Sequence, residues 1–451
     1  MGSLPCGTLL GVVQMSQRIT FAELLAMLNE QVGDLREHRS GRNVQYSLAT
    51  AVLSAFSVFY MQSASFLAHQ KLIQSQKGNN NVRTLFGVEE IPTDPQLRNL
   101  LDPVAPESLA GVFGEVLDLC AERGYLEAFR TLDKQLLCAL DGTRYFWSNK
   151  VHCASCSVRQ DSRSQVGYAH YAVIPVIAAP DKSQVLALAP SFVEPQDGVD
   201  KQDCELRAAS RWLQRYGPEY APWRMTLLGD DLYCHQPFCQ EVLTHGFGFI
   251  FVCKADSHIT LYEWVDAIAQ GGHVPTLKER VWNGRHGEVW TYRYLNNLPL
   301  KRGADALLVN WCELTVVHEE SGDQLYYNAF VTNHALSDDT VKPIAQAGRT
   351  RWKIENEGNN VLKTKGYHME HNFGHGQNHL ASTLFLLNLL AFLFHSVLEL
   401  GDWKYKTLRA ALGARRRFFT DLEALTRYLV FPSWEHLLDF MFDGLELPRP
   451  P

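Results

Sequence analysis

The chain has 451 residues, of which 46% are hydrophobic and 20% charged, and its 42 Lys plus Arg against 49 Asp plus Glu give a formal net charge of −7. This composition is typical of a folded protein and excludes long intrinsic disorder, collagen and low-complexity arrays, while the length predicts more than one structural unit. The charge excludes a uniformly basic nucleic-acid-binding surface, although it permits basic patches around an acidic site.

The cysteine content and the apolar segments bear on the compartment. Ten cysteines spread over the chain are too sparse for the disulfide framework of a small secreted domain, so reduced thiols in a cytoplasm are predicted. The first residues lack the cationic start of a signal peptide. Residues 380–400 are strongly apolar but contain Asn388, His395 and Glu399, which favours a buried core helix over a membrane span. We therefore expect a cytoplasmic protein without a membrane segment.

The first part of the chain has helical periodicity, and a strand pattern follows it. Residues 1–130 are predicted to be mostly helical, because apolar residues recur at helical spacing in 21–32 and again in 47–73. From residue 135 the pattern changes: 135–146 is predicted to be a strand, and 168–180 with 183–193 a β-hairpin.

Alternation between helix and strand continues after the hairpin. Helices are predicted in 203–216 and 235–246, and strands in 225–233, which ends in acids, and 247–255. Two longer runs, 281–295 and 312–333, alternate like exposed strands, and residues 340–365 are predicted to form one long helix capped by Asp338 or Asp339.

This order predicts an α/β fold in which a mixed sheet flanked by helices is interrupted by a β-rich insertion. The predicted regions are a helical N-terminal region at 1–130, a core formed by 131–265 and 336–400, the insertion at 266–335, and a basic helical C-terminal region at 401–451.

Three acidic residues occupy places where chemistry is expected. Asp141 ends the apolar run LLCALD, Asp230 ends TLLGD, and Glu355 lies in the helical segment RTRWKIENE. Each acid by itself is typical of an ordinary turn or helix cap, so the combination carries the interpretation. Carboxylates that converge repel one another unless cations lie between them, and oxygen ligands suit Mg²⁺ or Mn²⁺. Two such ions about 4 Å apart would serve phosphodiester chemistry.

Taken together, the segments LLCALDGT, LLGDDLY and RTRWKIENEGNNVLKTKGY resemble the three acidic motifs of bacterial insertion-sequence DDE transposases, over about residues 135–400. In the third motif the family pattern is Tyr-x2-Arg-x3-Glu-x6-Lys. Arg351 and Glu355 match it, whereas Gly348 stands at the Tyr position and Leu362 at the Lys position. Residues 201–205 (KQDCE) and 369–376 (MEHNFGHG) also look similar to related transposases, without an assignable role.

The resemblance implies an RNase H-like catalytic core and metal-dependent DNA strand cleavage and strand transfer at insertion-sequence ends. It implies Asp141, Asp230 and Glu355 as catalytic ligands of two Mg²⁺ or Mn²⁺ ions, with Asp231 and Glu357 as rival positions. It further implies terminal inverted repeats and target DNA as partners, a homodimer in the active complex, and association with the nucleoid when DNA is bound. The N-terminal helical region at 1–130 and the basic insertion would bind the terminal inverted repeats. Arg351 and either Lys363 or Lys365 would hold phosphate.

Two alternatives to a transposase remain open at this point. The departures at Gly348 and Leu362 are compatible with a transposon-derived DNA-binding protein that has lost catalysis. A metal-dependent nuclease without strand transfer would need the same three acids.

DNA contact is predicted where cations cluster. Residues 276–303 carry six Lys or Arg against two Glu, a balance of 6 − 2 = +4, and residues 401–430 carry seven against three acids, 7 − 3 = +4. In the first segment Arg285 is a candidate phosphate contact, and Trp282 and Trp290 are candidates for stacking on bases, although alternating aromatics are equally typical of a strand core.

Cys153 and Cys156 form a C-x2-C pair that could supply half of a zinc site, and Cys234, His235 and Cys239 could supply another half. The chain has no second C-x2-C pair, and a free cysteine is often a small buried apolar residue, so the sequence does not favour structural zinc. The histidines at 371, 375 and 379 are interpreted as helix-capping or DNA-backbone contacts rather than metal ligands.

Overall fold

The structure, a computed structural model, describes residues 18–37, 39, 44–74, 80–160, 165–195 and 201–449, and of residues 201–203 it describes only the backbone. A single mixed, partly parallel sheet with helices packed around it runs through these residues, which confirms the predicted α/β class. The N-terminal residues on which a signal peptide was judged lie outside the described ranges.

The N-terminal region is helical, as predicted. Its α-helices in the described part of the chain are α1 (Phe21–Gly33), α2 (Leu48–Tyr60), α3 (Phe66–Ile73), α4 (Asn81–Phe86), α5 (Asp94–Leu101) and α6 (Gly111–Glu122). Thr20 and Glu23 form a capping box that satisfies backbone donors at the start of α1. Helix α2 is buried on almost every side, so its apolar sequence reflects a core position.

Twelve strands in the described part of the chain form the sheet. They are β1 (Arg130–Thr131), β2 (Gln135–Ser148), β3 (Ser157–Gln160), β4 (Val166–Ala178), β5 (Leu186–Ala187), β6 (Ser191–Phe192), β7 (Met225–Gly229), β8 (Gly248–Val252), β9 (Thr276–Trp282), β10 (Gly287–Pro299), β11 (Leu308–His318) and β12 (Gln324–Thr332).

The order across the sheet is β3-β4-β2-β7-β8-β12-β11-β10-β9. The β2–β7 and β7–β8 pairs are parallel, whereas β4 pairs with β2, and β12 with β8, in the antiparallel sense. The strands of the predicted insertion therefore continue the same sheet through β12. The predicted hairpin exists, but its second arm forms only the short strands β5 and β6, because Pro190 between them has no N–H to continue the ladder.

The remaining helices in the described residues are α7 (Lys201–Tyr220), α8 (Gln236–Thr244), α9 (Ile259–Gln270), α10 (Val341–Arg349), α11 (Asn360–Thr364), α12 (Leu380–Gly401), α13 (Trp403–Leu412), α14 (Arg415–Tyr428) and α15 (Trp434–Gly444). Helix α9 was not predicted. The C-terminal region is helical, as predicted.

The prediction of one helix over 340–365 is wrong. Helix α10 ends at Arg349, and a π-helical segment, Ile354–Asn359, precedes α11. At the break, the Thr350 hydroxyl donates to the Gln346 carbonyl at 2.9 Å, a contact that bends helices. The predicted cap at Asp338 or Asp339 is also wrong: Thr340 precedes α10, and the Asp338 carboxylate accepts instead from the Tyr294 hydroxyl at 2.9 Å.

Helix α12 is the one described helix that is long and apolar enough to cross a membrane, and 89% of its most apolar 18-residue window is buried within the protein. Its polar residues have partners inside the core. The Asn388 amide donates to the Tyr367 carbonyl at 2.8 Å, and the His395 ring bonds to the Tyr367 hydroxyl at 2.7 Å. The helix is thus a core helix, as predicted.

An ion-pair cluster joins the start of the described chain to its C-terminal helices. The Arg18 guanidinium donates to the Asp402 carboxylate at 3.1 and 2.9 Å and also to Glu435. Asp402 is 2% exposed. Arg18→Ala would leave a buried carboxylate short of its charged donor, so we expect urea denaturation to show a loss of about 2 kcal/mol. The exposed pair of Arg83 and Glu89 provides the control: Arg83→Ala should cost less than about 0.5 kcal/mol, and equal losses would contradict the prediction.

Candidate active site: a cluster of carboxylates

Strand pairing brings the first two predicted acids together. Ala139 of β2 pairs with Leu228 of β7 in parallel register, and two residues further along this register Asp141 stands beside Asp230. Asp230 directly follows β7, as predicted. Asp141 does not end its strand, which corrects the prediction: β2 continues to Ser148 because its other edge remains paired with β4. Asp141 lies instead just beyond the end of the parallel ladder.

The π-helical segment carries the third acid to the same place. From this segment, the Asn359 amide donates to the Asp141 carboxylate at 2.6 Å. Glu355 lies four residues earlier, and its carboxylate pairs with the Arg351 guanidinium at 2.8 Å, so the predicted pairing on one helix face is observed. Single π-turns inside α-helices are frequent at functional sites. The segment thus places a carboxylate and an amide next to β2, and Arg351, just before the segment, adds a guanidinium.

A fourth acid, Glu205 of α7, belongs to the cluster, and sequence reasoning missed it. Glu205 is 8% exposed, and its carboxylate accepts from the Gly142 backbone N–H at 3.0 Å and from the Tyr233 hydroxyl at 2.8 Å. A Cβ at Gly142 would lie 2.3 Å from Glu205 Oε2, which explains the glycine after Asp141. The KQDCE segment was the available signal, but nothing local showed that its Glu faces β2.

The electrostatics of Asp141 reflect this crowding. Burial, followed by the negative charge of Glu205, raises the pKa of Asp141 to about 7. Glu355 and Asp230 add smaller increases, and only Arg351 among these neighbours lowers the pKa. Buried carboxylates that repel one another are a typical environment of a cation-binding or catalytic site.

The rival acids are held elsewhere. The Asp231 carboxylate accepts from the Lys254 backbone N–H at 2.7 Å and the Ser257 hydroxyl at 2.6 Å, and it lies 3.4 Å from His258. Although burial opposes it, the hydrogen bonds from His258 and Ser257 lower the pKa of Asp231 to about 2. The charge of Glu357 acts on Lys353, and it is not among the charges that shift Asp141. Asp230 rather than Asp231, and Glu355 rather than Glu357, therefore act on Asp141 together with Glu205.

Packing explains both departures from the transposase pattern. A Cβ at Gly348 would lie 2.7 Å from the Phe330 ring of β12, which leaves no room for a tyrosine. Leu362 is 1% exposed and packs in the core, where a lysine would be unpaired. Lys363 is half-buried and pairs with Glu370 at 3.4 Å, and Lys365 is exposed.

Placing a lysine at position 362, where the transposase pattern has one, should therefore be costly. We expect Leu362→Lys to lower the free energy of unfolding by about 3–5 kcal/mol, because it buries an uncompensated charge. Chemical denaturation would measure this loss. Lys363→Leu, one position along, is the matched control and should change stability by less than about 1 kcal/mol. A stable Leu362→Lys protein would show that this position has access to solvent.

The predicted DNA-contact residues of the insertion fall into two groups. Trp282 is 70% exposed at the end of β9, and Arg285 is exposed in the turn that follows. Trp290 is half-buried instead: the Arg349 guanidinium lies 4.9 Å from its ring, and its indole N–H donates to Glu288 at 2.9 Å. Trp290 thus packs toward α10, while Trp282 and Arg285 remain open to a partner.

The structure also shows partners for many cations of the two segments with a balance of +4. In the first segment the pairs are Arg280–Glu319, Arg293–Glu313, Lys301–Asp305 and Arg302–Glu263, and in the second they are Lys404–Glu435, Lys404–Asp439 and Arg415–Glu399. Every acid in these pairs lies outside the counted segment. Counting along the chain therefore overstated the local surplus of positive charge.

The carboxylate cluster fits a hard divalent cation. Its ligand atoms would be oxygens, which Mg²⁺ and Mn²⁺ prefer, and the charges that shift the pKa of Asp141 are three carboxylates and one guanidinium, that of Arg351. The Asn359 side-chain oxygen is buried and has no hydrogen-bond partner among the described residues. Asp141, Asp230 and Glu355 could hold the ion, with Glu205 and Asn359 beside them. Cys153 and Cys156 belong to a separate cluster of sulfur and nitrogen donors.

Compared with known proteins, the chain matches no family model, and no curated protein sequence matches it significantly.

Proposed function

We propose that this protein is a DDE-type DNA transposase that cleaves and joins strands at the ends of an insertion sequence. The observation that carries the proposal is the meeting of Asp141, Asp230 and Glu355, three acids from distant parts of the chain, beside one arginine. A surface ion pair such as Arg351–Glu355 would be commonplace by itself. The convergence of this pair with Asp141 and Asp230, which are buried or half-buried, is uncommon and points to a functional site.

The order of elements supports an RNase H-like core for this site. Asp141 lies on the first long strand, β2. The short strand β3, the antiparallel partner β4, the short arm of β5 and β6 and helix α7 follow, and then the parallel strand β7 with Asp230 after its end. Glu355 lies on a later helical segment, after the strands that extend the sheet. This is the sequence of acids that the resemblance to DDE transposases implies.

The residues of the carboxylate cluster would have different roles. Asp141, Asp230 and Glu355 would hold divalent ions, which when bound supply activation of the attacking oxygen and stabilisation of the leaving oxygen. Arg351 orients Glu355 and offers a guanidinium to a phosphate. Glu205 fixes the backbone after Asp141 and the Tyr233 ring after Asp230. The partners are the terminal inverted repeats and a target DNA, bound by a dimer of this chain.

A donor-plasmid assay tests the proposal. The plasmid carries the coding sequence with its flanking genomic DNA, and purified protein is incubated with it in Mg²⁺ together with a target plasmid. We expect excised element, nicked intermediates and joined product from the wild type, and none from Asp141→Asn.

The products separate the alternatives. Specific binding of the flanking DNA without any cut strand would favour a non-catalytic, transposon-derived binding protein. Cut ends without joined product would favour a nuclease. Cleavage that persists in Asp141→Asn would overturn the proposed site in every version.

A further inference from the structure

A second cluster of metal-ligand residues lies outside the carboxylate site. Cys153 and Cys156 lie in the loop between β2 and β3, His170 lies on β4, and His375 lies between α11 and α12. The Sγ atoms of the cysteines and a ring nitrogen of each histidine all lie within 4.8 Å of one another. Cys156, His170 and His375 are each less than 8% exposed.

The separations are those of a tetrahedral zinc site. The two sulfurs are 3.9 Å apart, Cys153 and Cys156 lie 3.6 and 3.4 Å from His170 Nε2, and Cys156 lies 3.3 Å from His375 Nε2. The two Nε2 atoms are 3.1 Å apart. Zn–S bonds of about 2.3 Å and Zn–N bonds of about 2.0 Å at tetrahedral angles give edges of about 3.8, 3.5 and 3.3 Å for S–S, S–N and N–N.

The atoms around the cluster have the orientation that metal binding needs. His375 Nδ1 lies 2.8 Å from the Gly376 carbonyl, so this nitrogen must carry the proton and Nε2 presents its lone pair to the cluster. The Cys153 backbone N–H donates to the Cys156 sulfur at 3.5 Å. A disulfide is excluded, since an S–S bond is about 2.05 Å long and both cysteines are free.

We propose that Cys153, Cys156, His170 and His375 form a structural Zn²⁺ site. Thiolate and imidazole ligands select zinc, whereas the carboxylate cluster selects a hard cation, so the two sites would take different metals. Four protein ligands complete the tetrahedron, which is the arrangement of a structural rather than a catalytic site. Binding would release the thiol protons as the two thiolates form.

The site would fasten the third-motif region to the sheet. Cys156 and His375 are 219 residues apart in sequence. The cysteines follow β2, which carries Asp141, and His375 follows the segment that carries Glu355. Asp102 holds the same region from the other side, by accepting from the backbone N–H groups of Gln377, Asn378 and Leu380. The zinc proposal stands on the four ligands alone and does not depend on the proposed transposase activity.

Zinc content of the full chain tests the proposal. Protein purified without chelators is expected to contain zinc in the wild type and to lose about one equivalent per chain in Cys156→Ser and in His375→Ala. His152→Ala and His371→Ala are the matched controls, because these histidines neighbour the ligands in sequence but are not part of the cluster, and both should retain the metal.

Another group, Cys234, Cys253 and His258, also has its ligand atoms within 4.8 Å of one another. Zinc bound at this group instead would contradict the proposal. Zinc that is lost in Cys234→Ser but retained in Cys156→Ser would overturn the proposal, as would a wild type without zinc that fails to bind added Zn²⁺ or Co²⁺.

If the variants do not fold, the metal site can still be measured directly in the wild-type protein. Replacement of the metal with Co²⁺ in the full chain should produce the absorption of a tetrahedral cobalt site with thiolate-to-metal charge transfer. Octahedral cobalt bands without charge transfer would contradict a site with two cysteine ligands.

Discussion

Replacing Glu355 with glutamine is expected to lower Mg²⁺-dependent DNA cleavage by about 10³-fold or more. Glutamine keeps the size of the side chain but removes the charge that would hold a divalent ion, and such ions contribute several kcal/mol to phosphodiester cleavage. The change also removes the charged partner of Arg351, whose guanidinium lies 2.8 Å from the Glu355 carboxylate. The readout is the rate of strand cleavage on the donor plasmid at saturating Mg²⁺.

Glu357→Gln is the matched control for this measurement. Glu357 lies in the same π-helical segment, and its replacement by glutamine also exchanges a carboxylate for an amide. Its charge, however, acts on Lys353 rather than on Asp141. Cleavage by Glu357→Gln should stay within a few-fold of the wild type. If instead Glu357→Gln abolishes cleavage and Glu355→Gln does not, the third acid has been assigned to the wrong residue.

Asp141→Asn is expected to stabilise the fold while it abolishes cleavage. The pKa of Asp141 is raised from 3.8 to about 7, by burial first and then by Glu205. A raised pKa means that the folded protein favours the protonated carboxyl group. The contribution of Asp141 to the free energy of unfolding is therefore fully present below pH 3.8 and is lost as the pH rises through about 7. At pH 8 and without added divalent ions, the neutral amide should recover up to about 4 kcal/mol.

Urea denaturation at pH 8 and pH 5 measures this effect, and the gain from Asp141→Asn should shrink at the lower pH. Asp231→Asn is the control of opposite sign. Because its pKa is lowered from 3.8 to about 2, its carboxylate stabilises the fold above pH 3.8, and this contribution is lost as the pH falls through about 2. Asp231→Asn should therefore destabilise at both pH values. An Asp141→Asn protein that loses stability equally at both would show that Asp141 is not electrostatically strained.

Counting charges along the chain did not locate basic surfaces. The two segments with a balance of +4 pair extensively with acids that lie elsewhere in the sequence, such as Glu313 opposite Arg293. Cross-strand neighbours are set by register, and a segment count cannot include them.

The features that depend on short-range periodicity and spacing could be predicted from the amino-acid sequence. Apolar spacing predicted the N-terminal helices, the strands β2, β7 and β8, and α12 as a core helix. The four-residue separation of Arg351 and Glu355 predicted their pairing, and the apolar run before Asp230 placed that acid at a strand end. These features follow from contacts between residues that are close along the chain.

Contacts between side chains that are far apart in sequence became known only from the folded structure. The parallel register of β2 with β7 puts Asp141 beside Asp230, and the π-turn brings Asn359 onto Asp141 across 218 residues. For the same reason the sequence did not show that Glu205 accepts from the Gly142 N–H, or that His375 lies 3.3 Å from the Cys156 sulfur. Such contacts depend on how the helices and strands pack, and the residue pattern within one segment does not predict its contacts with a distant segment.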